Sequence, residues 1–340
     1  MEMKRKIMAR GDQDRLSDLS DPILLHILSM LPNSKAVVRT SVLSRKWRLL
    51  WMSVPISLDF DFPIHGSEND NLFYLASTYR ELYYWRNCEK IQRFRLWRLR
   101  YEDRFAKDID LWVHFAIKVA NVESFALGII DTNDQRYEFP QFAYKNTKLR
   151  DLALWYCQLN PTGSVNWNSL VSLSLGSLPL TDGVMEEVLS GCPNLECLEL
   201  DCVSGIHRLE ISSMKLRELS IQDYINENPD LWLEILAPYI QNLELWGDSS
   251  EIRIRQRNVA SLVTAVLHLN FGNLEKEFSY LKELLDCVCH VENLELGPWC
   301  IEVYSYSSVS IIRFFFCLGL FICNGIISLI TLTNPLLRII

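Results

Sequence analysis

The sequence carries none of the short signatures that announce common catalytic sites. A phosphate-cradling G-x-x-x-x-G-K-[ST] loop, a dinucleotide G-x-G-x-x-G turn, a zinc-protease H-E-x-x-H pair and a G-x-S-x-G nucleophile elbow are all missing. Six histidines (His26, His65, His114, His207, His268 and His290) are scattered, and none sits beside an acid or nucleophile at a meaningful spacing. There is no CxxC pair, so the ten cysteines do not suggest a zinc ribbon. Cys287-x-Cys289-His290 comes nearest to a ligand cluster, but a closed zinc site needs about four ligands, and we expect no metal and no cofactor. Excess positive charge is absent too. A net charge of −8 argues against a nucleic-acid binder, which needs a broad basic surface. Met1 to Arg10 is mixed and charged with no apolar core, so it does not read as a secretory signal, and the cysteines are expected to be reduced and mostly buried.

What is present falls into three stretches. The first runs from residue 15 to 57. Ser20-Asp21-Pro22 opens a helix, because Ser or Asp can cap and Pro suits the first turn. Leu24, Ile27, Leu28 and Leu31 follow at helical spacing up to Pro32-Asn33. A second short helix carries Val37, Val38 and Ser41, and a third, starting at Leu43-Ser44, carries Trp47, Leu50 and Trp51. Three short helices make a small core, and such a unit usually completes its burial against a partner. The same stretch holds Lys35, Arg39, Arg45, Lys46 and Arg48 with no acid between Lys35 and Trp51, which suits either an acidic partner or a solvated helix face.

Residues 58–89 read as a join, with a loop from Gly66 to Asn71 and a helix from Leu72 to Trp85. From 90 to 300 the pattern L-x-x-L-x-L, with Ile, Val or Phe allowed, takes over. It starts at Ile91, Val122, Leu149, Leu170, Leu195, Leu216, Ile240, Leu262 and Val291, at intervals of 31, 27, 21, 25, 21, 24, 22 and 29 residues. Leucine-rich repeats recur at about 20–29 residues, so the expected body is a solenoid. Apolar positions of each short strand face its core, and the intervening ones line one concave sheet. Leu149, Leu152, Leu154, Cys157 and Leu159 make the fullest copy, and Thr181 to Gly191 is expected to form a helix on the convex side. The third stretch, 309–333, is a hydrophobic tail: Phe314 to Leu332 is nineteen residues without a charge. It passes for a membrane-spanning helix by length and composition. A membrane anchor, a buried end of the solenoid and a segment foreign to the ancestral fold all remain open for it.

Two strings carry a family resemblance. Asp14-Arg15-Leu16-Ser17-Asp18-Leu19 through Leu31-Pro32, followed by Val38-Arg39-Thr40-Ser41-Val42-Leu43-Ser44-Arg45-Lys46-Trp47, resembles an F-box. Leu189-Ser190-Gly191-Cys192-Pro193-Asn194-Leu195-Glu196 is similar to the repeats of plant F-box/leucine-rich-repeat proteins. One departure is that this chain has Leu19-Ser20-Asp21 where the family has Leu-Pro-Asp, its proline coming one step later at Pro22. The implied fold is α/β: a three-helix F-box, a leucine-rich-repeat solenoid and a helix-like hydrophobic tail. The resemblance also implies a non-enzymatic substrate receptor of a Skp–cullin–F-box ubiquitin ligase, working in the nucleus or cytoplasm unless the tail anchors it to a membrane. It would dock a Skp-type adaptor, and through it cullin and RING subunits, by Leu19, Pro22, Leu24, Leu28, Leu31, Val42, Leu43 and Trp47. A protein substrate would meet the outward strand positions Arg95, Trp97, Trp155, Glu199, Asp201, Glu244 and Trp246. The alternative is a repeat-based binding scaffold acting outside the ligase.

Overall fold

The computed structural model describes residues 16–297, apart from 32–33, 64–67, 87–90, 131–134, 226–231, 249–251, 255–258, 271–279, 281–282 and 289. The hydrophobic tail at 309–333, Pro32-Asn33, Cys289 and the residues before 16 therefore lie outside the described residues. The chain divides into two compact units, 1–98 with 111–125, and 99–110 with 126–340.

In the first unit, α1 (Asp21–Ser29) begins with Pro22 in its first turn. Pro fits there because its missing N–H is one that no helical carbonyl could accept from. Ser20 takes the N-cap position in an extended conformation, yet its side chain makes no cap hydrogen bond. Next come α2 (Ser34–Arg39), a 3-10 turn at Thr40–Val42, and α3 (Trp47–Leu50) with a 3-10 turn at Trp51–Ser53. The third helix starts later than Leu43-Ser44 and is a single turn. Leu24, Leu28, Val37, Trp47 and Val54 form the core of these short elements. Lys46 ties the chain entry down: its Nζ donates to the carbonyls of Ser17 and Leu19 and pairs with Asp21 at 3.2 Å.

The expected join is more ordered than a linker. β1 (Ile56–Asp61) alternates buried and exposed residues along its length, and α4 (Glu68–Trp85) begins several residues before Leu72. β1 runs parallel to β2 (Ile91–Arg100), with Leu58 opposite Phe94 and Phe60 opposite Leu96. Phe94 stacks on Phe125 at 6.0 Å between ring centroids, and Trp51 meets Trp85 edge to face at 5.5 Å. On the other face of these two strands, Arg95 pairs with Asp59 at 3.1 Å and Arg98 with Asp61.

The strands continue with β3 (Ser124–Ile130), β4 (Tyr137–Glu138), β5 (Asp151–Trp155), β6 (Cys157–Gln158), β7 (Ser172–Gly176) and β8 (Cys197–Asp201). After them come β9 (Arg208–Glu210), β10 (Glu218–Gln222), β11 (Leu233–Leu236), β12 (Asn242–Asp248), β13 (Ile252–Ile254), β14 (Thr264–Asn270) and β15 (Asn293–Leu296). Helices between the strands include α5 (Ala106–His114) and α6 (Asp182–Ser190).

The second unit is built on a parallel sheet in which β5, β7, β8, β10, β12, β14 and β15 lie side by side in chain order. Pairing is in register, so Leu173, Leu198, Leu219, Leu243, Ala265 and Leu294 occupy one row. Every L-x-x-L-x-L copy from Leu149 to Leu267 has its three apolar positions buried. The last copy differs: Val291, Leu294 and Leu296 are half-buried, because β15 pairs with β14 alone among the described strands. A second parallel sheet, β9-β11-β13, adds Leu209, Ile235 and Ile254 to the core.

α6 confirms the expected helix at Thr181 to Gly191. The Thr181 hydroxyl accepts from the Val184 N–H at 3.2 Å, which caps the helix. Its buried residues are Met185 and Val188, while Val184 and Leu189 are half-buried. Gly191 ends it at φ −78°, so no left-handed turn requires glycine there. A Cβ would instead lie 2.6 Å from Val165, and close approach is the reason for glycine.

A further regularity sits two residues beyond the last apolar position in six of the nine copies. Arg98, Tyr156, Ser177, Cys202 and Asp223 all have φ between 44° and 60°, and Gly247 has φ 119°. In the second unit each of these non-glycine residues donates its N–H to a carbonyl of the next copy: Tyr156 to Gly176, Ser177 to Asp201, Cys202 to Gln222 and Asp223 to Trp246, at 2.8–3.0 Å. A left-handed non-glycine residue costs about 1–2 kcal/mol, and the hydrogen bonds that its turn permits offset that cost. Among the described residues no helix is long and apolar enough to cross a membrane.

Candidate protein-binding surfaces

Two surfaces carry the residues singled out above, one in each unit. In the first unit the eight adaptor candidates separate into two groups. Leu24 and Leu28 are 0% exposed and Trp47 is 2% exposed. They hold the short helices together and offer no surface, as a core of this size demands. Leu19 and Leu31 are half-buried, Pro22 is exposed, and Val42 and Leu43 are 85% and 56% exposed. The structure adds apolar side chains that spacing alone did not mark: Leu16, Ile23, Met30, Leu49 and Met52 are all exposed. Helical periodicity assigns an apolar residue to a core, so a second apolar face on so short a helix carries no signal of its own. Single exposed apolar residues are ordinary, but this many between 16 and 52 is the composition of a contact surface.

The basic run is only partly available. Lys46 is committed to the chain entry, and Lys35 pairs with Glu81 of α4 at 3.5 Å. Arg39, Arg45 and Arg48 are exposed. The first unit also holds Arg95 and Trp97: Arg95 lies over the Trp97 ring at 4.9 Å while it pairs with Asp59. Both are half-buried and partnered within the chain.

The other five substrate candidates share the sheet of the second unit. Trp155, Gly176, Asp201, Gln222, Trp246 and His268 form one row across neighbouring strands, and Ala153, Ser174, Glu199, Ser220, Glu244 and Val266 the next. Trp155 lies across Gly176 so closely that a Cβ there would stand 2.7 Å from its Cε2. Trp246 stacks on His268 at 4.0 Å between centroids, and His268 Nε2 is 3.0 Å from Glu295. These tryptophans thus pack laterally on the next strand. Trp246 keeps 37% of its surface exposed, while Trp155 is half-buried.

A shallow groove of about 510 Å³ follows this face, lined by side chains from β7, β8, β10, β12 and β14. Its carboxylates are Glu199, Glu218 and Glu244. Glu218 accepts from the Cys197 thiol at 3.1 Å and from Asn242 Nδ2 at 3.4 Å. Desolvation and then the Glu218 carboxylate push the Cys197 thiol up to about 12. Burial raises Cys157 and Cys192 to about 12 as well, and desolvation with Asp201 raises Cys202 to about 11. A thiol that transfers an acyl group needs a lowered pKa, so all four are shifted the wrong way for such chemistry. The side chains of Asp201, Cys202 and Asp223 gather their ligand atoms within 4.8 Å. Nothing else at that cluster points to a cation. Cys287 is buried and its thiol points to the Ile254 carbonyl at 3.5 Å.

Comparison with known proteins agrees with this architecture. The family model described as At1g61320/AtMIF1, LRR domain, matches residues 88–315. The chain is 33% identical over 295 residues to the putative F-box protein At1g49610 of Arabidopsis thaliana, covering 84% of this chain and 69% of that protein. It is 29% identical over 309 residues to the putative F-box/LRR-repeat protein At5g02930 of the same plant, covering 87% and 63%. With Arabidopsis F-box/LRR-repeat protein 25 the identity is 31% over 240 residues, covering 70% and 88%. The chain therefore spans about two thirds of the length of the first two.

Proposed function

Because this chain belongs to the family of F-box/leucine-rich-repeat proteins, we propose that it is a substrate receptor of a Skp–cullin–F-box ubiquitin ligase. Residues 15–57 act as the F-box and dock the Skp-type adaptor, which brings the cullin and RING subunits. Residues 90–300 act as the repeat body and hold the protein to be modified. The chain performs no bond-breaking step. It raises the effective concentration of a substrate lysine beside a ubiquitin thioester carried by its partners. The raised thiol pKa values of Cys157, Cys192, Cys197 and Cys202 agree with a receptor and not with a thioester-forming ligase. Among the described residues Cys157, Cys192, Cys197, Cys202 and Cys287 form no disulfide, which suits the nucleus or cytoplasm.

One observation carries the adaptor reading: Leu16, Ile23, Met30, Val42, Leu43 and Leu49 are exposed on a unit whose own core is small. Covering such side chains stabilises a complex by roughly 25 cal/mol per Å² of apolar surface. The test is co-purification of the full chain with a Skp-type adaptor, beside a Val42→Asp, Leu43→Asp variant. These positions are chosen because they are exposed, whereas Asp at Leu28 would disrupt the core. Stoichiometric capture by the wild type, lost in a variant of unchanged circular dichroism, is the expected result. No capture by folded wild-type protein overturns the ligase role and leaves a repeat-based binding scaffold.

A further inference from the structure

The groove across β7 to β14 shows an unusual division of charge. No lysine or arginine occupies an outward position on β7, β8, β10, β12 or β14, whereas Glu199, Asp201, Glu218 and Glu244 all do. Within the groove the carboxylates are not equivalent. Glu218 is already engaged by Cys197 and Asn242. Glu199 and Glu244 are exposed, and among the described residues neither has a partner. They lie in one row with Ser220 between them, on strands two apart. Trp246 follows Glu244 by two residues and keeps 37% of its surface exposed on the same face, one side of its ring being stacked on His268.

We infer that this groove takes an extended basic segment of a partner protein, with cationic side chains three residues apart seated on Glu199 and Glu244. The reasoning is geometric. Neighbouring strands are about 4.8 Å apart, so the two carboxylates sit on backbone positions roughly 10 Å apart. A segment crossing the strands in the polyproline II conformation rises about 3.1 Å per residue and returns to the same face every third residue. Its residues i and i+3 therefore project to one side roughly 9 Å apart, which matches the carboxylate spacing. A β-strand ligand presents i and i+2 on one side at about 7 Å, and fits the pair less well. The Ser220 hydroxyl between the two glutamates offers a hydrogen bond to the backbone of the segment. The Trp246 ring offers a face to the aliphatic stem or charge of a flanking lysine or arginine. An acidic or phosphorylated segment meets only like charge here, and a nucleic acid is refused for the same reason.

This inference rests on the reading of the sheet as the recognition surface, but not on adaptor binding. The test uses the full chain and two fluorescein-labelled, proline-rich nine-residue peptides, one with lysines at i and i+3 and one with glutamates there. Binding is followed by anisotropy at low salt, alongside adaptor capture of the same preparations. The lysine peptide binds and the glutamate peptide does not. Glu199→Gln with Glu244→Gln weakens the lysine peptide by roughly tenfold, the effect of two charge pairs of ordinary strength. Glu186→Gln, an exposed carboxylate of α6, leaves it unchanged. Adaptor capture stays intact throughout. Equal binding of both peptides, binding of neither, or full affinity in the double variant overturns the inference. Loss of adaptor capture alone bears on the ligase role and leaves this inference standing.

Discussion

Replacing Gly176 by alanine provides a direct test of how the tryptophans on the sheet are held. Gly176 sits on β7 opposite Trp155 of β5, and the indole lies over its backbone. A Cβ at Gly176 falls within van der Waals overlap of Trp155 Cδ2 and Cε3, and 2.7 Å from Cε2. The contacting atoms are the two ring-fusion carbons and the neighbouring Cε3, so the whole indole must shift or leave the surface. Overpacking of this kind costs about 1–3 kcal/mol. With Trp155→Ala as background the clash is gone, and the same substitution replaces a strand glycine by a residue with less conformational freedom to lose. There it should stabilise by roughly 0.5–1 kcal/mol. The sign of the effect therefore reverses between backgrounds, and the cycle yields a coupling energy of about 1.5–4 kcal/mol. Thermal and urea unfolding followed by circular dichroism measures all four proteins. At about 2–4 °C per kcal/mol for a unit of this size, Gly176→Ala should lower Tm by a few degrees in the wild type. A loss of equal size in both backgrounds, or no loss in the wild type, refutes the packing of Trp155 on Gly176.

Two other outcomes follow from the same geometry. Gly205 has φ 81°, and a Cβ there would collide with the backbone carbonyl of Leu180, which cannot swing away as a side chain can. Gly205→Ala is expected to cost about 2 kcal/mol or more, read from the urea midpoint, and an unchanged midpoint contradicts this account. The Cys197 thiol, raised to about 12 by desolvation and by Glu218, is mostly protonated at pH 8, and its raised pKa keeps the thiolate scarce until the pH climbs well beyond 9. Its alkylation by iodoacetamide, followed by mass spectrometry of the Cys197 peptide, should run at least about tenfold slower than that of an unperturbed thiol. Glu218→Gln removes one cause of the shift and should speed it. A rate that levels off near pH 9 would speak against the shift.

The repeat body was legible because its signal is both local and periodic. An apolar residue at each inward strand position is required wherever a copy stacks on the next, and the burial of Leu152, Leu173, Leu198, Leu219 and Leu243 follows from spacing alone. The helix at Thr181 to Gly191 was legible for a similar reason, since its start and stop depend on nearby residues, and the structure adds the Thr181 hydroxyl as its cap. The proposed adaptor surface was much less so. Leu24 and Leu43 look alike in sequence, yet one is 0% and the other 56% exposed. Which side of a short helix faces its neighbours depends on the crossing of three elements, and periodicity does not encode it. Lys46 was missed as an internal tie for the same reason, because its partners Ser17, Leu19 and Asp21 are remote in the chain.

By itself, the sequence determined the family, the sheet of stacked copies, the inward residues of each strand and the sign of the charge on the outward face. These depend on residue type and spacing, which the chain states directly. The tertiary structure decided what each outward residue is free to do. It committed Arg95 to Asp59, laid Trp155 on Gly176, stacked Trp246 on His268 and engaged Glu218 with Cys197, while leaving Glu199 and Glu244 open. Partners drawn from neighbouring strands, 21 to 36 residues away, cannot be read along the chain, because register between strands, not position within one, brings them into contact.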